Sequence, residues 1–125
     1  DVGAGHPVAD NVSFHFYLQG WRGLVVEPQP ALAALYAHVR PRDAAAACLV
    51  GDRIGEADFF EVERLHGFST TIEANARGAQ SFGAGFKARR VAVTTLSALC
   101  EAHGIGRIDF LKVDVEGAEG AALAG

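Results

Sequence analysis

A chain of 125 residues that is half apolar lies within the range of one domain with its own core, which excludes an intrinsically disordered tract. Its net charge of −4, with Lys87, Arg89 and Arg90 as only a short basic cluster, argues against an electrostatic grip on nucleic acid, and no run approaches the ~20 apolar residues that span a bilayer. Cys48 and Cys100 sit in apolar segments without zinc or redox spacing, and read as two buried thiols in a reducing, cytoplasmic setting.

Asp1-Val2-Gly3-Ala4-Gly5-His6-Pro7 reads as the end of a buried strand breaking into a tight turn before a helix. Glycine at 3 and 5 permits positive φ or a close approach of backbone to ligand, which a side chain would block. Asn11 to Gln19 is the expected first helix, with Asp10 or Asn11 as N-cap and Gly20 as its stop. Trp21 to Glu27 is a continuous apolar run suited to a parallel strand covered on both faces, ended by Pro28 and Pro30. After Pro30, Leu32, Leu35, Tyr36 and Val39 recur at helical spacing until Pro41.

Ala44 to Val50 is a third strand of weak β-formers, followed by the Gly51-Asp52 turn and an additional strand over Ala57 to Val62. Leu65 to Phe86 is glycine- and serine-rich with isolated phenylalanines, and reads as a long loop, either a lid or disordered. His66 at its start is the one histidine retained as a weak candidate base. Val91-Ala92-Val93 leads into Thr94-Thr95, an N-cap pair for a helix bearing Leu96, Leu99, Cys100 and His103 and ended by Gly104. Ile108 to Val113 is the clearest expected strand, closed by Asp114, with Glu116, Gly117 and Glu119 on the turn and first helical residues beyond.

Alternating strands and helices imply an α/β protein with a doubly wound sheet, in which ligands bind beyond the carboxyl ends of the strands. That edge gathers Asp1, Gly3, Gly5, Glu27 and Asp114. An acid about 20 residues after a glycine turn is where nucleotide-binding folds hold ribose hydroxyls, which assigns that role to Glu27. The plainer alternative is a strand-end acid near the dipole of the next helix. Lys112, within an apolar strand and on the same side as Asp114, is expected to pair with it.

Asp1-Val2-Gly3-Ala4-Gly5, Val26-Glu27-Pro28, Thr95-Leu96 and above all Leu111-Lys112-Val113-Asp114-Val115-Glu116-Gly117-Ala118-Glu119 resemble the FkbM-type methyltransferases, a branch of the class I S-adenosylmethionine-dependent enzymes. The resemblance runs from Asp1 to Gly125, with Pro7 where a third glycine is usual. It implies a Rossmann-like class I sheet, incomplete at both ends, with the first strand between the second and fourth. A fragment so cut is expected to expose strand edges and to fold poorly alone.

The resemblance further implies S-adenosylmethionine as cofactor, and methyl transfer to an oxygen of a small-molecule or carbohydrate acceptor. Asp1, Gly3, Gly5, Glu27 and Asp52 are the expected cofactor-binding residues, Asp52 through the adenine amino group or else as a turn aspartate. Asp114 and Glu116 are the expected catalytic pair, orienting the acceptor hydroxyl or taking its proton. Glu116 and Glu119 also suit the acidic first turn of a helix. No metal, nucleic-acid or membrane partner is expected. A NAD(P)-dependent oxidoreductase and a non-catalytic nucleoside-binding domain share the glycine turn and the acid after the second strand, and stay open as alternatives.

Overall fold

Leu24-Val25-Val26, three apolar residues without a polar break, form β1 (Leu24–Val26) in the computed structural model and are buried on both faces. The structure describes residues 1–63 and 66–125, without the side chain of His66. Leu24 and Val26 enter a cluster with Val2, Val50, Leu99 and Ala122, whereas Val25 packs on the other face with Ala4 and Tyr36.

On one edge β1 pairs in parallel with β2 (Ala44–Ala46), placing Leu24 opposite Ala44. On the other it meets Val2, which forms parallel bridges to both Val26 and Val113. The Val2 N–H donates to Lys112 O at 2.9 Å and its carbonyl accepts from Asp114 N at 3.0 Å. Toward β1, Val26 N donates to Asp1 O at 2.8 Å and Gly3 N to Val26 O at 3.0 Å. The result is a mixed α/β arrangement with Val2 between β1 and the Lys112–Asp114 segment.

The helices follow their caps. In α1 (Val12–Leu18) the Asn11 side chain accepts from Phe14 N, and Gly20 follows at φ +89°. Pro30 opens α2 (Pro30–Val39), where its missing N–H costs nothing, and Leu32, Ala33 and Tyr36 are buried. Of the expected apolar face, Leu35 and Val39 remain exposed. The Thr95 hydroxyl accepts from Ala98 N at the start of α4 (Leu96–Ala102), and Gly104 ends it at φ +64°.

Four expectations are corrected. The stretch Ala44 to Val50 is not one strand: β2 stops at Ala46, and β3 (Leu49–Val50) pairs instead with a second sheet. Alanine has little side chain to hold a strand to its neighbours, so the run breaks at Ala47-Cys48. The additional strand is longer than expected, β4 (Gly55–Val62), and its antiparallel partner is β5 (Phe86–Thr94), which begins five residues before Val91. Charges on both faces of this hairpin signal no strand by hydropathy: Arg90 pairs with Asp58 at 3.3 Å on one face, and Arg89 with Glu61 at 3.3 Å and Lys87 with Glu63 at 2.9 Å on the other.

The expected loop over 65–86, whose first residue lies outside the described residues, contains a 3₁₀ turn (His66–Phe68), α3 (Glu73–Ala79) and a second 3₁₀ turn (Gln80–Phe82). Ala76 and Ala79 give α3 its buried face against Val62 and Ala84, a stripe too small to stand out among polar neighbours. Finally, Ile108 to Val113 forms no extended ladder. Only Val113 is bridged, and Ile108, Phe110 and Leu111 are 46%, 42% and 38% exposed, because Val2 is the residue that offers this segment its pairing groups. The chain closes on α5 (Glu119–Ala124).

Behind the glycine turn lies Arg40, which the sequence does not mark and which is buried with Asp43, their side chains 3% and 2% exposed and 2.6 Å apart. Arg40 also donates to Asn11 Oδ1 and Ser13 Oγ, each at 3.0 Å, and lies over the rings of Tyr17 and Tyr36. It thereby ties α1 to the end of α2. Arg40→Ala in the full chain is expected to cost about 3–5 kcal/mol, since it leaves the Asp43 carboxylate buried without its counter-charge. Urea unfolding measures this; an unchanged midpoint would show that the pair contributes nothing.

Candidate active site

The two glycines of the first turn serve different ends. Gly3 sits at φ +71°, and a Cβ built on it would lie 1.8 Å from Asp114 O, so the residue is glycine because two backbone segments touch there. Gly5, at φ +62°, would place its Cβ in open space, and its N–H donates to Glu27 Oε2 at 2.7 Å. The turn is held from behind by Ala4 O, which accepts from Asn11 Nδ2 at 2.8 Å and Tyr36 Oη at 3.1 Å. Burial pushes the Tyr36 phenol up to about 12, so it remains a donor. His6 Nδ1 accepts from Val8 N and Ala9 N and is spent on the turn.

Glu27, at the end of β1, is 3% exposed. Its Oε1 accepts from Gln29 N at 2.9 Å, so each carboxylate oxygen holds one backbone N–H, and the Gln29 side chain bonds to the carboxylate as well. Burial raises its pKa above the ordinary 4.5, against the hydrogen bonds from Gln29 and Gly5 and the charge of Lys112, which favour the ionised form.

Glu27 and Gly5 border a cleft of about 100 Å³ whose other walls include Phe59, Ser69, Asp114 and Glu116. Asp114 leaves the bridge at Val113 with its side chain 62% exposed, and Lys112 Nζ lies 3.6 Å from its Oδ2. The expected Lys112–Asp114 pair is therefore present, but Lys112 also donates to Gly3 O at 2.8 Å and lies 3.3 Å from Asp1 Oδ1. Glu116 stands at φ +53° on the turn that follows. Partial burial, Asp114 and Glu119 together raise its pKa. Glu119, in the first turn of α5, accepts from Val115 N and Gly117 N, and backbone N–H groups hold its own pKa low.

The structure thus brings Gly3, Gly5, Glu27, Asp114 and Glu116 to one cleft. It does not bring Asp1 or Asp52 there. The Asp1 carboxylate is 2% exposed and turned to Lys112 and to the Ser13 hydroxyl at 2.5 Å, beside a larger groove of about 730 Å³ that also takes in Trp21, Phe110 and Leu111. Asp52 is exposed on its turn, 3.7 Å from the adjacent Arg53. Both cysteines are half-buried rather than buried; Cys48 lines the cleft, and burial raises its thiol pKa. Among the described residues no group of three or more His, Cys, Asp or Glu is arranged to hold a metal ion. Gln29, Thr70 and Asn75, which sequence reasoning passed over, all bond to the candidate acids, through backbone groups that leave no residue pattern to read.

Gly3→Ala and Gly5→Ala should part company. The first is expected to cost several kcal/mol or to fail to fold, since backbone cannot yield to a contact of 1.8 Å. The second should cost only about 1 kcal/mol, the penalty of a side chain at positive φ. Thermal unfolding of both variants checks this, and equal losses would show that Gly3 and Asp114 can move apart.

The residues described here carry the motifs by which the sequence resembles one family, and the family model of the methyltransferase FkbM domain matches residues 1–125. Neither a curated protein nor a solved structure matches the chain. With the match extending over the whole length, the chain belongs to the FkbM methyltransferase family.

Proposed function

We propose that this chain binds S-adenosylmethionine at the cleft between the glycine turn and Asp114, and directs its methyl group to an oxygen of a small-molecule or carbohydrate acceptor. The observation that carries this is the buried Glu27 carboxylate, held by Gly5 N–H and sharing one cleft with the exposed carboxylates of Asp114 and Glu116. Membership of the family supports methyl transfer in general. We also infer a doubly wound sheet in the order Val113, Val2, β1, β2, supported by the two parallel bridges and by helices against both faces of β1.

The donor set suits the cofactor. Beyond the bonds it takes from Gly5 and Gln29, Glu27 keeps acceptor capacity for a ribose hydroxyl, and the absence of a Cβ at Gly5 leaves room beside it. The cofactor supplies a sulfonium-bound methyl as electrophile. Asp114 and Glu116 orient the acceptor hydroxyl in line with that methyl and take its proton, a task for which the raised pKa of Glu116 suits it as a base. Asp1 is assigned to holding Lys112, and Asp52 to its turn. Two free cysteines fit a reducing compartment, and no helix among the described residues is long and apolar enough to cross a membrane; we place the protein in the cytoplasm.

Calorimetry with S-adenosylmethionine and with NAD separates this reading from an oxidoreductase: the first is expected to bind, the second not. Glu27→Ala should weaken S-adenosylmethionine binding by about 1–3 kcal/mol, the scale of charge-assisted hydrogen bonds in a buried site. Unchanged affinity would remove Glu27 from the ribose role.

The pH dependence has a definite sign. Glu27 accepts from hydroxyls best when ionised, and its raised pKa means that it takes up a proton while pH is still above 4.5. Affinity should therefore be full at neutral pH and fall with acidification before ordinary carboxylates titrate, a fall that Glu27→Gln abolishes. Asp114→Asn is expected to bind cofactor normally while losing labelled-methyl transfer, and normal turnover would reassign Asp114 to structure.

A further inference from the structure

A side-chain-bearing residue stays at positive φ only where its surroundings hold it there. Glu116, at φ +53°, is held on every side by side chains rather than by a ladder. The N–H groups flanking it, of Val115 and Gly117, donate to Glu119 Oε1 at 3.1 and 3.2 Å. Its carbonyl accepts from Thr70 Oγ1 at 3.1 Å and from Asn75 Nδ2 at 3.2 Å.

Thr70 is far from Glu116 in sequence and 1% exposed. Its backbone pairs with Phe60 in both directions, at 2.8 and 3.1 Å, and its hydroxyl accepts from Ile72 N at 3.0 Å while donating to Glu116 O. Ile72 in turn packs where Gly117 lacks a side chain: a Cβ there would lie 2.8 Å from Ile72 Cδ1. Neither Thr70 nor Asn75 lines the cleft. Buried and committed at each polar atom, Thr70 turns its hydroxyl to the Glu116 carbonyl and so reaches the acids of the site through the Glu116 turn.

We propose that Thr70 and Asn75 are positioning residues, which from the β4–β5 connection grip the Glu116 carbonyl and so aim the Glu116 carboxylate into the cleft. What that carboxylate does there rests on the function proposed above, whereas its positioning does not. Asp114 on the same turn and Glu119 of α5 are the charged groups that act on it, and both keep its proton on longer. A carboxylate released from the turn swings toward water and away from them.

The test follows the Glu116 carboxyl by NMR in the full chain labelled with ¹³C-glutamate, the signal being identified by its loss in Glu116→Gln. In the wild type it is expected to titrate above 4.5. Thr70→Val and Asn75→Ala should each lose most of that upward displacement, and Thr70→Ser, which keeps the hydroxyl, should restore it. Titration of Glu116 in folded Thr70→Val and Asn75→Ala as in the wild type would overturn the proposal. So would failure of Thr70→Ser to restore the value where Thr70→Val has lost it. If Thr70→Val does not fold, the exposed Asn75→Ala decides alone. S-adenosylmethionine affinity, measured on the same variants, is expected to stay within twofold of the wild type. A wild type that binds none would overturn the proposed function and leave the titration result standing.

Discussion

One residue joins the two halves of the candidate site. Val2 stands between β1 and the Lys112–Asp114 segment, and its ladder on either side is a single bridge. So short a seam needs other support, and Lys112 provides it: its ammonium donates to Gly3 O and lies between the Asp1 and Asp114 carboxylates. Three polar partners offset the desolvation of a lysine that is only 18% exposed. The contact of Gly3 with Asp114 O follows from the same closure, as does the distance across the cleft from Glu27 to the acids opposite.

Much of this was legible where a residue's own chemistry dictates its surroundings. Asn11, Pro30 and Thr95 announce helix starts because capping is local, and Leu24-Val25-Val26 announces a covered strand because both its faces need burial. Glu27, Asp114 and Glu116 were found from spacing and from family motifs, and they share a cleft. Ile108 to Val113 misled because apolar residues state a preference for burial, whereas a ladder needs a partner strand, and here the pairing stops at Val113. The helix α3 escaped notice because its buried face is alanine, and β5 because its first half carries cross-strand charges instead of apolar alternation. Arg40 is the reverse case: a charge at a helix end that reads as solvated, yet is enclosed by residues from α1, α2 and the first turn.

Glu27, the acceptor proposed for a ribose hydroxyl, is also a structural group. Its carboxylate links the end of β1 to the glycine turn through Gly5 N–H and to the start of α2 through Gln29 N–H. A ligand hydroxyl meets an acceptor already fixed in direction, with little rotamer freedom left to lose on binding. Burial sets the limit on this arrangement, since the same enclosure that orients the group also favours its protonated form.

The β4–β5 hairpin and α3 carry an apolar cluster of their own, made of Val62, Ala76, Ala79 and Ala84 with Phe60 and Phe86 against it, and it shares no member with the cluster beneath β1. Alanine-rich packing buries little area, and a parallel ladder of two residue pairs, Leu49 with Val93 and Val50 with Thr94, joins this unit to β3. Phe59 and Ser69 of the cleft wall belong to it, while Glu27 and Gly5 belong to the sheet. A cleft of about 100 Å³ is well below the roughly 300–1,000 Å³ of ordinary ligand sites. Under the function proposed above, admission of a nucleoside requires the hairpin unit to move away from the sheet, with the two-residue β3–β5 ladder as the seam between them.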